Sequence, residues 1–311
     1  MEQTVQTANT KRSNPVMEPG PLSETGTWRD FVSVTKVGIT VANLMTVFAG
    51  LWLSSSAQAN GSLILWTLLG TALVIMAGTC LNNYIDRDLD RYMERTAKRA
   101  LAKGSLNPTT VMWMGIGFAV VGTAILTFLV NPLTAIIGLI GLFDYVVVYT
   151  MWLKRTSTLS TIGGAISGAV PIVMGWTAYS NSFDMGAFSI FLIMFMWQMP
   201  HTLALSIRRS QDYGKAGIPV LPVVKGFEVT KRHMMRWVAA MIPASILVFN
   251  FTHADMGYLV TMMVLGLAWF IHTIFGFFAN DTIRWARQSF VISLIYLTSM
   301  SIVLIVETSL L

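Results

Sequence analysis

Charge is scarce in this chain. Asp, Glu, Lys and Arg make up 12% of its 311 residues, against 54% hydrophobic residues, and the mean hydropathy is +0.62. Soluble domains of this size carry about a quarter of their residues as charges, so the composition is that of an integral membrane protein. Cysteine is nearly absent. Cys80 stands alone inside an apolar run, which excludes a disulfide or a thiolate zinc site and reads as a small packing residue. None of the four histidines sits in an HExxH or paired-His arrangement, and there is no Walker A loop, GxSxG elbow or run of intramembrane arginines. Metalloprotease chemistry, nucleotide hydrolysis, serine hydrolysis and voltage sensing therefore have no support. Residues 1–30 lack an apolar core, so they are no secretory signal. Glu2, Glu18 and Glu24 also argue against an organelle transit peptide, and with Pro15, Pro19 and Pro21 the segment reads as a flexible cytoplasmic tail. A transmembrane domain is expected over 31–311.

Apolar sequence is abundant. Runs long enough to span a bilayer lie near 36–54, 63–82, 109–130, 133–152, 160–180, 186–207, 234–252, 257–279 and 288–306. A span takes about 20 residues, so the expected fold is an all-α integral membrane protein of nine transmembrane helices. The fifth run is diluted by Gly163, Gly164, Gly168, Pro171 and Gly175; small residues there suit close helix packing, the favoured reason, or space for a ligand. With the N-terminus inside, all 21 Lys and Arg residues fall in or beside the inner segments, the tail and the loops near 83–108, 153–159, 208–233 and 280–287. The opposite loops, SSSAQANGS, Asn131–Pro132, SNSF and THAD, hold none. A miscounted helix would invert every later loop, so this asymmetry predicts an inside N-terminus and an outside C-terminus. It also turns the net charge of +6 into a membrane signal and leaves no case for a nucleic-acid partner. The two long inner loops follow helices two and six, an offset that suggests two related four-helix halves plus a final helix.

The richest stretch is CLNNYIDRDLDRYMERT, residues 80–96. Asn82, Asp86 and Asp90 recur at four-residue spacing, each step turning a helix by only about 40°, so a continued helix puts all three on one face. Asp88 would point away, with Arg87, Arg91 and Arg95 mostly opposite. Carboxylates beside a bilayer suggest a cation or a proton path. With Glu94, Arg95, Thr96, Lys98, Arg99 and Lys103 following, they suit a magnesium–phosphate ligand: magnesium takes a few carboxylate oxygens, while the basic groups neutralise the rest. An interfacial helix of i, i+4 ion pairs explains the same pattern, and periodicity alone leaves the two readings level.

The other candidates have bland readings, which on the residues alone are favoured for Asp212 and His201. In RRSQDYGKAGIPVLPVVKG, Asp212 shares the inner side with Asp86 and Asp90 but could simply pair with Arg208 or Arg209 while glycines and prolines shape a turn. Helix four ends in DYVVVYTMWLKRTST, where Asp144 lies about two turns inside the boundary, Tyr149 sits near Lys154 and Arg155, and those two cations are either a topology signal or ligands for an anion. His201 in WQMPH follows Pro200, whose freed carbonyl often accompanies a kink beside a cavity. A lone helical His is more often a packing residue than a ligand.

NNYIDRDLDRYMERT with KRALAKG, then YTMWLKRTST, WQMPHTLAL and DYGKAGIPVLP, closely resemble the protoheme IX farnesyltransferases (heme O synthases), a branch of the UbiA-type intramembrane prenyltransferases. The resemblance runs from about Lys36 to the last helix. The Asn-x3-Asp-x3-Asp element marks the superfamily, while WQMPH and AGIP point to the heme branch. It implies a helical bundle around a lipid-facing cavity capped by the inner loops, and transfer of a farnesyl group from farnesyl diphosphate to a vinyl group of heme B. By analogy Asn82, Asp86 and Asp90 would hold Mg2+–diphosphate with Asp212 facing them. Arg95, Lys98, Lys154 and Arg155 would stabilise the leaving diphosphate, Tyr149 would border the allylic centre and His201 would contact heme.

Two positions depart from the pattern. Arg208 and Ala216 flank Asp212 where many relatives carry a second paired acid, so Arg208 is expected to contact diphosphate or a heme propionate instead; Thr202 replaces an expected aromatic residue. The implied setting is a bacterial cell membrane with the mouth on the cytoplasmic side, and a heme A synthase or oxidase-assembly protein as partner. The competing readings are a related enzyme acting on an aromatic or quinone precursor, and a heme or solute transporter. A CDP-alcohol phosphotransferase is disfavoured by its missing DG…AR…G…D…D pattern. Asp86 and Asp90 lie at the mouth rather than midway through the bilayer, which fits head-group chemistry better than ion passage.

Overall fold

In a bilayer a long apolar segment satisfies its backbone only by closing its own hydrogen bonds, and each of the nine runs does so. The computed structural model describes residues 26–310. A short helix, α1 (Trp28–Val34), precedes nine spans: α2 (Val37–Ser54), α3 (Gly61–Asp86), α4 (Pro108–Leu129), α5 (Pro132–Thr156), α6 (Ser160–Ser180), α7 (Met185–Arg208), α8 (Gly226–Phe251), α9 (Met256–Phe278) and α10 (Thr282–Thr308). The tail expected over 1–30 lies largely outside the described residues; Trp28 to Asp30, assigned to it on sequence, form the first turn of α1. A capping box starts that turn, with Thr27 Oγ1 accepting from Asp30 N at 3.4 Å and the Asp30 carboxylate accepting from Thr27 N at 3.2 Å.

Short polar side chains start most spans. Asn60 accepts from Leu63 N, Asn131 from Thr134 N and Asp184 from Ala187 N, at 2.8, 2.8 and 2.9 Å, and Asp281 accepts from Arg284 N at 2.9 Å. Each satisfies a backbone donor that the first turn leaves unpaired.

α2 packs directly on α6. A Cβ on Gly175 would stand 1.9 Å from the Val47 carbonyl oxygen, and one on Gly50 would stand 2.2 Å from that of Ile172. Glycine lets the two backbones touch, the use of small residues expected for this segment. The largest apolar core joins the outer halves of α2 and α6 to α7, α8, α9 and α10 through Leu53, Ile172, Trp176, Ile193, Trp269 and Tyr296. The first half of the chain is more open: α2, α3, α5 and α6 enclose a cavity toward the loop-bearing end. There the loops 87–107 and 209–225 meet in a small cluster of Met93, Ile218 and Val220, with Leu89 and Tyr213 against it. This contact holds the two loops together over the mouth.

Candidate active site

The acidic triplet does not lie on one continuous helix. α3 ends at Asp86, and Asp90 belongs to a separate 3-10 turn, Leu89–Tyr92. The cause lies at the carbonyls that a helix end leaves unpaired. Arg155 donates to the Ile85 carbonyl at 2.7 Å and grips Asp88 through two contacts of 2.8 Å, and Arg87 donates to the carbonyl of Tyr84. These arginines cap α3 and let the chain turn. Asn82, Asp86 and Asp90 are nevertheless all buried, at 4%, 0% and 2% exposure, and the turn swings Arg95 from its expected opposite face to the same side.

Asn82 is the hub. Its Nδ2 donates to Asp86 Oδ2 at 2.7 Å and to Thr150 Oγ1 at 3.2 Å, while its Oδ1 accepts from Lys36 Nζ at 2.9 Å. Lys154 ion-pairs with Asp86 Oδ2, and Arg99 pairs with Asp90 Oδ2 at 2.7 Å. The second oxygens, Asp86 Oδ1 and Asp90 Oδ1, are buried without a hydrogen-bond partner. A buried unpaired carboxylate oxygen is unfavourable, and two flanking one mouth fit a divalent cation that shares its remaining positions with water and phosphate oxygens. Among the described residues no cluster of three or more His, Cys, Asp or Glu exists, so any such ion would lean on its anionic ligand.

Above this triplet is a cavity of about 650 Å³. Lys36, Arg95, Lys98, Arg99, Lys154 and Arg209 line it with Asn82, Asp90, Tyr149 and Tyr213. Six cations thus face Asp90 and the Asp86 carboxylate beneath Lys154, a surplus that calls for a polyanion. The crowding shows in the titration of groups on the loop side. Burial first, and then Arg99 and Lys154, bring the Lys36 ammonium down to about 7; burial and Arg99 lower Arg95. Burial raises Tyr213, keeping its phenol a hydrogen-bond donor.

α5 presents its ligands through an unusual stretch. Asp144–Leu153 is a π-helix, with i→i+5 bonding. Tyr145, Tyr149 and Lys154 follow one another by four and five residues and all line the cavity. In an α-helix nine residues turn roughly 900°, leaving Lys154 about half a turn away from Tyr145; the wider π turn restores one face. The Tyr145 and Tyr149 rings stack at 5.8 Å.

A second, apolar cavity of about 220 Å³ continues from this one, sharing Ile39 and Tyr145. Gly78, Gly138, Gly141, Gly164 and Gly168 help to line it. Gly164 and Gly168 serve both readings, lining the cavity while Tyr149 and Gln198 pack closely on them. A Cβ on Gly164 would touch the Tyr149 ring at 3.3 Å, and one on Gly168 would collide with Gln198 at 2.0 Å. Asp144 has a structural part: its carboxylate accepts from Ser167 N at 3.0 Å, tying α5 to α6.

The cavity gathers Asn82, Asp90, Arg95, Lys98, Tyr149 and Lys154, with Asp86 directly beneath. Four expected residues lie elsewhere. Arg155 is occupied with Asp88 and the α3 end, on a surface depression shared with Arg87 and Arg91, and approaches the Asp86 carboxylate only at 4.0 Å. Arg208 and Asp212 line a neighbouring depression, Asp212 standing 3.9 Å from Arg209, so Asp212 does not join Asp86 and Asp90 around one ion. His201 sits between α7 and α10, stacked on Trp197 at 4.7 Å and Phe290 at 4.6 Å, with Nδ1 2.7 Å from Ser293 Oγ. That is the packing role of a helical histidine. Lys36, Arg209, Tyr145 and Tyr213 escaped the sequence reading as ligands, while Arg99 was among the basic groups expected beside the triplet. Arg209 was visible as a member of a basic loop run, but no spacing rule connects Lys36 to a triplet 46 residues later.

A family model described as the UbiA prenyltransferase family matches residues 43–295, and the chain belongs to that family. The fold agrees with a solved digeranylgeranylglyceryl phosphate synthase at a TM-score of 0.77 and 15% identity, over 91% of this chain and 99% of that one. It also agrees with a UbiA homologue from Archaeoglobus fulgidus bound to DMAPP and Mg2+, at a TM-score of 0.67 and 16% identity, over 89% and 99%. Within the family the chain sits among the protoheme IX farnesyltransferases. It is 44% identical over 301 residues to that of Alkalihalophilus pseudofirmus, covering 94% of this chain and 95% of the relative. It is 40% identical over 306 residues to protoheme IX farnesyltransferase 2 of Bacillus subtilis, covering 97% and 99%.

Proposed function

We propose that this chain transfers the farnesyl group of farnesyl diphosphate to a vinyl group of heme B, giving heme O and diphosphate. A polycationic cavity opening into an apolar one supports the donor half: a diphosphate head sits among Lys36, Arg95, Lys98, Arg99 and Lys154 while the isoprenoid chain runs along the glycine-lined cavity. Identity of 40–44% over nearly the whole chain to protoheme IX farnesyltransferases supports the acceptor.

As the C1–O bond breaks, its electron pair leaves with the diphosphate, and fixed cations lower that barrier because their orientation is set before charge develops. Magnesium held by the free oxygens of Asp86 and Asp90 would supply further charge neutralisation at the same oxygens. Asn82 holds Asp86 and Lys36 in register. Tyr145 and Tyr149 border the allylic carbon with ring faces that favour a cation. The low-polarity walls keep water from the cation until the vinyl carbon attacks. The cation then left beside the porphyrin ring takes hydroxide from water, which releases a proton.

The protein works as an integral membrane enzyme of a bacterial plasma membrane, with the N-terminus and the cavity mouth cytoplasmic. Its product passes to a heme A synthase or an oxidase-assembly partner. Membranes containing the chain, given heme B, farnesyl diphosphate and magnesium, should form heme carrying one farnesyl and one hydroxyl group by mass. No farnesylated heme, together with prenylation of an aromatic acid or quinone precursor, would move the enzyme to another branch of the family.

A further inference from the structure

A cavity of about 470 Å³ beside the diphosphate site has no part in the reaction described above. The two cavities share a wall, since Arg95, Lys98 and Arg209 line both. Glu94, Arg208, Gln211 and Asp212 complete the second one. Four cations (Arg95, Lys98, Arg208, Arg209) less two acids (Glu94, Asp212) leave an excess of two positive charges. Of these pairs only Arg209 and Asp212 approach, at 3.9 Å. Arg208 rests on an aromatic face instead, its guanidinium carbon 4.9 Å from the Phe290 ring centre.

We infer that this second cavity receives the two carboxylate side chains of the porphyrin acceptor, with Arg208 as their chief partner; the inference rests on the heme reading above. Arg95 and Lys98 are shared with the diphosphate, which leaves Arg208 and Arg209 as one guanidinium for each carboxylate. Guanidinium forks match carboxylates two bonds at a time. Glu94 and Asp212 repel additional negative charge and so select against a second diphosphate, which belongs where Lys36, Arg99 and Lys154 add three more cations. Heme B carries both carboxylates on one edge of a flat ring. Anchoring that edge beyond the shared wall directs the rest of the ring toward the first cavity, where the allylic cation forms. Phe290, beneath Arg208, offers apolar surface beside the anchored edge. Arg208 is thus a specificity residue for the acceptor, in a position where an acid would repel it.

The full chain in detergent provides the test, through steady-state kinetics and through equilibrium binding of heme B followed at its Soret band. Arg208→Gln should weaken heme B binding and raise its KM roughly tenfold or more, leaving kcat and the KM for farnesyl diphosphate within about twofold, and Arg208→Lys should restore part of the loss. The dimethyl ester of heme B, with both carboxylates capped, should bind the unaltered protein as weakly as the acid binds Arg208→Gln, and the substitution should then have no further effect. A raised KM for farnesyl diphosphate, or weaker inhibition by inorganic diphosphate, would assign the cavity to phosphate and overturn the inference. Equal losses for acid and ester, or no loss for either, would overturn it too. Failure of the heme reading itself looks different, because the unaltered protein would then yield no farnesylated heme at all, and the inference would fall with it.

Discussion

At Asp86 and Asp90 each carboxylate has one oxygen on a cation and one without a hydrogen-bond partner, the free Asp86 oxygen lying 4.0 Å from Arg155 Nη2. Burying half-paired carboxylates is unfavourable, and a site that tolerates two at one mouth is poised for something brought by its ligand. Asp86→Asn and Asp90→Asn keep the volume and remove that capacity, so each should lower turnover by roughly two to three orders of magnitude while membrane insertion, read by fractionation, is unchanged. Near-normal turnover in both would place the metal elsewhere. Lys36 allows a sharper test because its ammonium titrates near 7 in the ligand-free protein. It is charged below that pH and neutral above it. A bound diphosphate favours the charged form, so binding above pH 7 takes up a proton and weakens as pH rises, by up to about tenfold per unit. Inorganic diphosphate should therefore inhibit the unaltered protein more strongly than Lys36→Met at pH 6, with the gap shrinking toward pH 9. A constant ratio across that range would show that Lys36 does not meet the ligand.

At the scale of elements, the apolar runs were legible because a long stretch without charge has one stable form in a bilayer. The end of α3 was not, since the four-residue spacing carries on past Asp86 and the groups that stop the helix include Arg155, from another span. The π stretch of α5 was equally hidden: DYVVVYTMWL has no proline or glycine to announce it. Its consequence is testable by removing Val147, which is partly exposed and outside the cavity lining. One residue fewer shifts Lys154 around the helix and away from Asp86. The variant should keep its helical circular dichroism and lose at least about tenfold in KM for farnesyl diphosphate; an unchanged KM would separate the π turn from ligand placement. α6 offers a control on packing. Gly175→Ala drives a methyl into the Val47 carbonyl, whereas Gly117→Ala meets nothing within 4 Å. The first should destabilise the protein by about 1–3 kcal/mol and the second should leave thermal stability in detergent unaltered.

For the whole molecule the remaining question is which way it faces. Among the described residues every Lys and Arg lies at the end that carries the two long loops, and the opposite loops have none. Lys and Arg are retained on the cytoplasmic side during insertion, which supports the cytoplasmic mouth proposed above. The proposed chemistry favours the same side, because a diphosphate head group does not cross an apolar core unaided and must reach its cations from the compartment that holds it. Cys80, the single cysteine, is fully buried, so introduced cysteines report position with little background. Gln58→Cys and His253→Cys, in exposed loops of the end without Lys or Arg, should react with a membrane-impermeant maleimide on intact cells. Lys225→Cys and Arg284→Cys, exposed at the opposite end, should react only once the membrane is opened. The reverse pattern would put the mouth outside, where the donor would have to be supplied from the far side of the bilayer, and the cytoplasmic assignment would have to be abandoned even with the cavity chemistry intact.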